Sequence, residues 1–130
     1  MTIYELREYT VVPGQHQTWH KAMINLYLVA DNQQGRMPNL LARFENHTIK
    51  IWEKHGIQQV GFWNTLVGPD TNILTYMLKW ESLADREQKW NAFFSDPEWI
   101  EARANSEKDG PINAKVSNTF LTPTKFSALQ

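Results

Sequence analysis

Glu5, Arg7 and Tyr9 occupy alternate positions in the run TIYELREYTV, residues 2–11. Such alternation argues a β-strand, and its period of two puts all three side chains on one face. A carboxylate, a guanidinium and a phenol on one surface can hold an anion or an enolate. The cation stabilises the charge and the phenol donates a proton. Lys79, near the end of ILTYMLKW, joins them if the strands align. The same grouping also describes an internal ion pair with Glu5 neutralising Arg7, since buried charges need partners. Trp63, Tyr76 and Met77 offer an aromatic wall for a planar ligand, or ordinary core and interface packing. Arg7 and Tyr9 are therefore the catalytic candidates; Glu5, Trp63, Tyr76, Met77 and Lys79 are the ligand-binding ones.

Other chemistries find less support. His16 and His20 have the i, i+4 spacing that can place two imidazoles over one metal. No HExxH pattern accompanies them, so exposed helix histidines are the better reading. His47 near Phe44 and Ile51 raises haem ligation, although a lone helical histidine is ordinarily structural or solvated. His55, just before Gly56, has a sufficient role at the negative end of a helix dipole. There is no cysteine, hence no disulfide, thiolate nucleophile or Cys-type zinc site. GxGxxG, GxxxxGK[ST] and GxSxG are all missing. No metal or cofactor is expected. Thirteen basic against fourteen acidic residues give a formal charge of −1, with no basic stripe for nucleic acid.

These residues need elements to position them. The chain is organised around Ile57 to Trp80, two β-rich runs separated by Gly68-Pro69-Asp70, which reads as a hairpin. Before it, the first strand stops at Pro13-Gly14. Trp19, Ala22, Met23, Leu26, Tyr27 and Ala30 follow helical spacing, and DNQQG (31–35) breaks that stripe. Pro38 suits the first turn of a second helix carrying Leu41, Phe44, Thr48, Ile51, Trp52 and His55. Gly56 sits where a helix C′ glycine belongs.

After the hairpin, Ser82 caps a helix with Asp85 at N3, its inner face formed by Leu83, Glu87, Trp90 and Phe94. Asp96-Pro97 restarts a helix as N-cap and N1. Gly110-Pro111 ends it, NAKVSNTFL (113–121) is a last strand, and TPTKFSALQ an extended tail. The order β-α-β-β-α-β, with an extra helical insertion in the first helical region, predicts an α+β ferredoxin-like sandwich, an antiparallel sheet with helices on one face. One domain over 1–130 is expected. Apolar content of 42%, with six Trp, six Phe and four Tyr, argues against disorder.

The strands carry a second apolar surface. Val60, Phe62, Leu66, Leu74, Tyr76, Leu78 and Trp80 share one parity and are assigned to the helix-covered core. The other set mixes Ile3, Tyr9, Trp63, Ile73 and Met77 with Glu5, Arg7 and Lys79. Left in water it is a large patch; a second copy of the chain would cover it. A solvated face with stray aromatics is the plainer alternative.

Several segments together resemble the NIPSNAP family of the dimeric α/β-barrel superfamily. They are YELREY (4–9), WEKHG (52–56) leading into VGFW (60–63), WESLADR (80–86), DPEW (96–99) and TPTKFS (122–127). Two departures stand out: residues from about Leu26 to Leu40 look inserted, and Trp80 stands where the family pattern expects Tyr. The resemblance implies a ferredoxin-like subunit and a homodimer with two facing sheets; it carries no settled activity. Superfamily relatives include cofactor-free monooxygenases, isomerases and haem-binding barrels, and fold does not choose among them.

The resulting expectation is a homodimer with a mainly apolar pocket between sheet and helices, binding an apolar or aromatic small molecule. Its chemistry would be cofactor-free oxygenation or isomerase-type proton transfer. Arg7 would orient the anion, Tyr9 exchange protons, and Trp63 and Tyr76 form walls. The rival is a non-enzymatic dimer with a filled barrel and exposed contacts at Trp90, Phe93 and Trp99. No secretory signal pattern and no membrane-length apolar run are visible, so a cytoplasmic protein is expected.

Overall fold

A computed structural model describes residues 1–14 and 35–130. The elements are β1 (Ile3–Val11), α1 (Met37–Arg43), a π-helical turn (Phe44–Thr48), α2 (Ile49–His55), β2 (Gln58–Asn64), β3 (Ile73–Trp80), α3 (Leu83–Phe94), α4 (Pro97–Ser106) and β4 (Asn113–Leu121). The four strands form one sheet in the order β2-β3-β1-β4, with every neighbouring pair antiparallel. This is the ferredoxin-like fold. The proposed helix over Trp19 to Ala30, with His16 and His20, lies outside the described residues. The described chain resumes at Gly35, where an added Cβ would come within 3.0 Å of the Gly14 backbone. The next residue is tied back to the first strand, Arg36 N–H donating to the Val12 carbonyl at 2.9 Å.

Local signals fix the helix ends. Asp85 N–H donates to Ser82 Oγ at 3.0 Å, and the Asp85 carboxylate accepts from Glu81 N–H at 3.1 Å. Asp96 Oδ1 accepts from Glu98 N–H at 2.9 Å, with Pro97 in the first turn behind it. Gly56 takes φ 72°, ψ 22° after α2, a conformation that favours glycine. The eight residues between β2 and β3 make a longer connection than a tight turn. Asp70 accepts from Asn72 N–H within it at 2.8 Å.

The helices cover one face of the sheet. Leu74, Tyr76, Leu78 and Trp80 of β3 are buried against Leu40, Ile51, Trp52, Trp90 and Phe93. Each such side chain contributes roughly 1.5–3 kcal/mol by leaving water. The register corrects the face assigned to the first strand. Glu5 lies opposite Leu78, Arg7 opposite Tyr76 and Tyr9 opposite Leu74, and directly paired residues share a face. Ile3, Glu5, Arg7 and Tyr9 therefore sit under the helices rather than on the open side.

The open side carries Tyr4 and Leu6, facing Lys79 and Met77, with Trp63 opposite Thr75. Tyr4 is nevertheless buried, its hydroxyl donating to the Gln130 carbonyl at 2.9 Å. The tail is thus folded back over that corner. A second correction concerns α3. Its inward residues include Trp90 and Phe93, whereas Leu83 and Phe94 are exposed. Among the described residues no helix is long and apolar enough to cross a membrane.

Candidate functional site

Glu5 is fully buried, a position a carboxylate holds only when its lone pairs are satisfied. Oε2 accepts from Arg7 Nη1 at 2.8 Å, Asn118 Nδ2 at 2.9 Å and Arg86 Nη2 at 3.1 Å. Oε1 accepts from Trp80 Nε1 at 3.1 Å and Arg86 Nε at 3.2 Å. Burial pushes the Glu5 carboxyl upward, but the donors of Arg86, Asn118 and Arg7 together outweigh it and hold the group below its ordinary value.

Arg7 uses the rest of its fork on phenols. Nε donates to Tyr76 Oη at 2.7 Å and Nη2 to Tyr9 Oη at 3.2 Å. Its guanidinium carbon lies 4.8 Å from the centre of the Trp90 ring, a cation–π contact. Burial works against the Arg7 charge; Tyr76, Tyr9 and Glu5 more than offset it and raise the group above an ordinary arginine. Burial likewise pushes the Tyr76 phenol well up, with Tyr9 adding to the effect and Arg7 opposing it. Tyr76 therefore stays protonated and serves as an acceptor for Arg7.

Arg7 and Tyr9 line a cavity of about 420 Å³ between sheet and helices, within the size range of small-molecule sites. Its walls are Phe44, Trp52, Trp90, Phe93 and Trp99. Arg7, Arg43 and Arg103 also line it, with Glu107 at 3.5 Å from Arg43 and 3.8 Å from Arg103. Arg43 Nε, Trp52 Nε1, Trp99 Nε1 and Asn113 Oδ1 are buried without a hydrogen-bond partner among the described residues. All four belong to side chains that line this cavity. A buried polar group left unpaired costs about 1–3 kcal/mol, so four in one place call for an explanation.

The helix beside the cavity is adapted to it. Ile49 N–H donates to the Phe44 carbonyl, an i→i−5 bond that makes Phe44–Thr48 one π turn. Thr48 Oγ1 donates to the Arg43 carbonyl at 3.3 Å, again five residues back. The wide turn places Arg43, Phe44, Thr48 and Trp52 together on the cavity wall, and such turns recur at functional sites.

The structure brings together four of the sequence candidates. Arg7 and Tyr9 line the cavity, with Glu5 and Tyr76 holding Arg7 from behind. Tyr76 is no ligand wall, being fully buried in the core. Trp63, Met77 and Lys79 lie on the opposite face of the sheet, and Trp63 is 51% exposed. They cannot join this site: Met77 and Lys79 alternate with Tyr76 along β3, and Trp63 of β2 pairs with Thr75 on that same far face. His47 is exposed and does not line the cavity. His55 Nε2 meets Asp96 Oδ2 at 2.7 Å, linking the end of α2 to the start of α4. Trp90, Phe93 and Trp99, named as exposed contact residues in the rival reading, are buried. Arg43, Trp52, Trp99, Glu107 and Asn113 escaped the sequence reading as site residues. Trp52 stands in a helical stripe and Trp99 in the turn after Asp96-Pro97, but no linear signal marks Arg43, Glu107 or Asn113.

A ferredoxin-like sandwich with a polar-tipped aromatic cavity between sheet and helices is the class of protein these features define. The NIPSNAP family profile matches residues 24–128, and the chain belongs to that family. Among solved structures it is similar to a NIPSNAP family protein with unknown function from Agrobacterium tumefaciens, at 22% identity and TM-score 0.72, covering 99% of this chain and 94% of that one. An uncharacterised NIPSNAP-like domain protein from Burkholderia xenovorans aligns at 22% identity and TM-score 0.69, over 97% and 88% of the two chains. A second NIPSNAP family protein from A. tumefaciens aligns over 100% of both chains at 20% identity and TM-score 0.69. No protein of curated function matches.

Proposed function

We propose that this chain is a cytoplasmic, homodimeric small-molecule-binding domain whose site is the cavity between sheet and helices. The observation that supports it is the convergence, around one aromatic-walled space, of buried polar atoms on Arg43, Trp52, Trp99 and Asn113 that have no partner among the described residues. Arg7 keeps its charge, and two of its five N–H donors are not engaged by Glu5, Tyr9 or Tyr76. Tyr9 accepts from Arg7 and lines the cavity, which sets its hydroxyl beside the space a ligand would fill. That pairing suits keto–enol proton transfer, with Arg7 stabilising the enolate oxygen; the Tyr9 phenol gives its proton to the enolate carbon and becomes a phenolate beside Arg7, and the reverse step takes the proton back. Reaction of such an enolate with dioxygen, without a cofactor, is the related oxygenase chemistry. Glu5 and Tyr76 act as positioning residues for Arg7.

The second copy belongs on the open sheet face, where Trp63, Met77 and Leu6 otherwise meet solvent. Tryptophan fluorescence, titrated with quinones, flavonoids and aromatic acids, tests the site directly, because Trp52, Trp90 and Trp99 form its walls. A saturable change that Arg7→Met weakens is the expected result. No response to any of these compounds would leave the filled, non-catalytic barrel as the better reading.

A further inference from the structure

Arg7 and Arg43 line the same cavity but stand in different electrostatic states. Arg7 has a carboxylate at 2.8 Å and two phenols on its remaining nitrogens. Among the described residues Arg43 has only long contacts, Nη1 to Ser106 Oγ at 3.2 Å and to Glu107 Oε1 at 3.5 Å. Glu107 is itself shared with Arg103, at 3.8 Å. Arg43 is just 5% exposed, and its Nε has no partner among the described residues. Its guanidinium carbon lies 5.3 Å from the centre of the Trp99 ring, and Trp99 Nε1 is also without a partner among the described residues. Two orphaned donors, one on a cation, thus belong to a single contact. A buried guanidinium with so weak a counter-charge is costly unless an anion completes it. Burial accordingly lowers the Arg43 group below the ordinary arginine value, Glu107 offsetting this only in part.

We infer that the cavity takes an apolar or aromatic monocarboxylate, with its carboxylate held at the Arg43–Trp99 end and its body against Phe44, Trp52 and Phe93. This rests on the ligand-site reading above and adds the chemical class of the ligand and its orientation. The planar two-oxygen carboxylate matches the Nε and Nη donors of one guanidinium edge. Indole N–H donates only, so Trp99 and Trp52 select acceptor oxygens over donor groups. Asn113 offers an amide that can accept from, or when turned donate to, a further polar substituent on the ligand. Arg7, already neutralised by Glu5, is left to act on the reacting end of the molecule.

The test is calorimetric titration of the full chain with 2-naphthoate, cinnamate and octanoate, each beside its primary amide. The expected result is that at least one acid binds about tenfold or more tightly than its amide, the scale of one charge-assisted hydrogen bond. Arg43→Gln should bring that acid down to the level of its amide, and Trp99→Phe, which keeps a ring and removes the N–H, should weaken it several-fold. Should Arg43→Gln not fold by circular dichroism, Trp99→Phe and the wild-type contrast decide. Equal binding of acids and amides overturns the inference while leaving the cavity a ligand site. An acid preference that survives Arg43→Gln but is lost in Arg7→Met overturns it too, by moving the anchor. If neither acids nor amides bind, both this inference and the ligand-site reading fall.

Discussion

Arg7 and Glu5, two residues apart on β1, meet at 2.8 Å with both side chains buried under the helices. Glu5 is the shared anion of two guanidinium groups, since Arg86 reaches it at 3.1 Å from α3. Removing the shared member strands both cations. Glu5→Gln is expected to destabilise the chain by about 3–5 kcal/mol, the range for an uncompensated buried charge. Arg86→Gln, at a partly exposed position, should cost less, because Arg7 still neutralises the carboxylate. Urea unfolding of the two variants checks the order.

Tyr76→Phe isolates one bond. The ring and its packing remain while Arg7 Nε loses its 2.7 Å acceptor. A loss of about 1–3 kcal/mol is expected from the unpaired donor, together with weaker ligand response, since Arg7 is then less firmly oriented. Equal stability to wild type would show that Arg7 repairs the contact elsewhere.

Acid should weaken the fold through two carboxylates. The Glu5 group lies below its ordinary 4.5. Asp96, hydrogen-bonded first by Lys54, then by His55 and Glu98 N–H, is held well below its ordinary 3.8. A depressed folded-state value stabilises the native state above the unfolded value, and that stability is lost as pH falls through the folded one. Thermal midpoints should therefore be insensitive to these groups at neutral pH and drop below about pH 4.5. Asp96→Asn should flatten the low-pH end of that profile.

The π turn predicts an unusual deletion phenotype. Removing the exposed His47 would take out the one extra residue that the π turn absorbs and return Phe44–Thr48 to regular helix, with α1 and α2 keeping their facing because the lost residue and the lost wide turn each count about 100° at 3.6 per turn. Arg43 and Trp52 then still share the cavity side. Ligand-dependent fluorescence should survive the deletion, whereas an alanine inserted after His47 should abolish it and lower the melting temperature by turning Trp52 about 100° away from Arg43.

Assembly can be tested on the open face. Met77→Asp puts a charge among Leu6 and Trp63 without touching the cavity. Sedimentation should shift from twice the 15.2 kDa chain mass to once that mass. An unchanged dimer would mean that the copies meet through another surface.

The linear signals that proved legible are the short-range ones. Asp96-Pro97, Ser82 with Asp85, Gly56 and the span 113–121 specify caps, stops and a strand through contacts within a few residues, and the structure agrees with each. The βαββαβ order followed from those elements. Arg7 and Tyr9 stood out because alternation in one strand groups them without reference to anything distant.

Which face that group occupied was not legible. Parity within a strand is local, but parity between β1 and β3 depends on register, and a shift by one residue exchanges the faces. Arg7 pairing with Tyr76 settled it, separating Trp63, Met77 and Lys79 from the candidates they had been grouped with. Arg43, Trp99, Glu107 and Asn113 were hidden for a related reason. They sit on or just beyond three different elements, and only packing of helices on the sheet makes them neighbours. Sequence by itself determined the elements, their order and one half of the site. Tertiary structure decided which side of the sheet the charges share, because burial and pairing are properties of contacts between segments far apart in the chain.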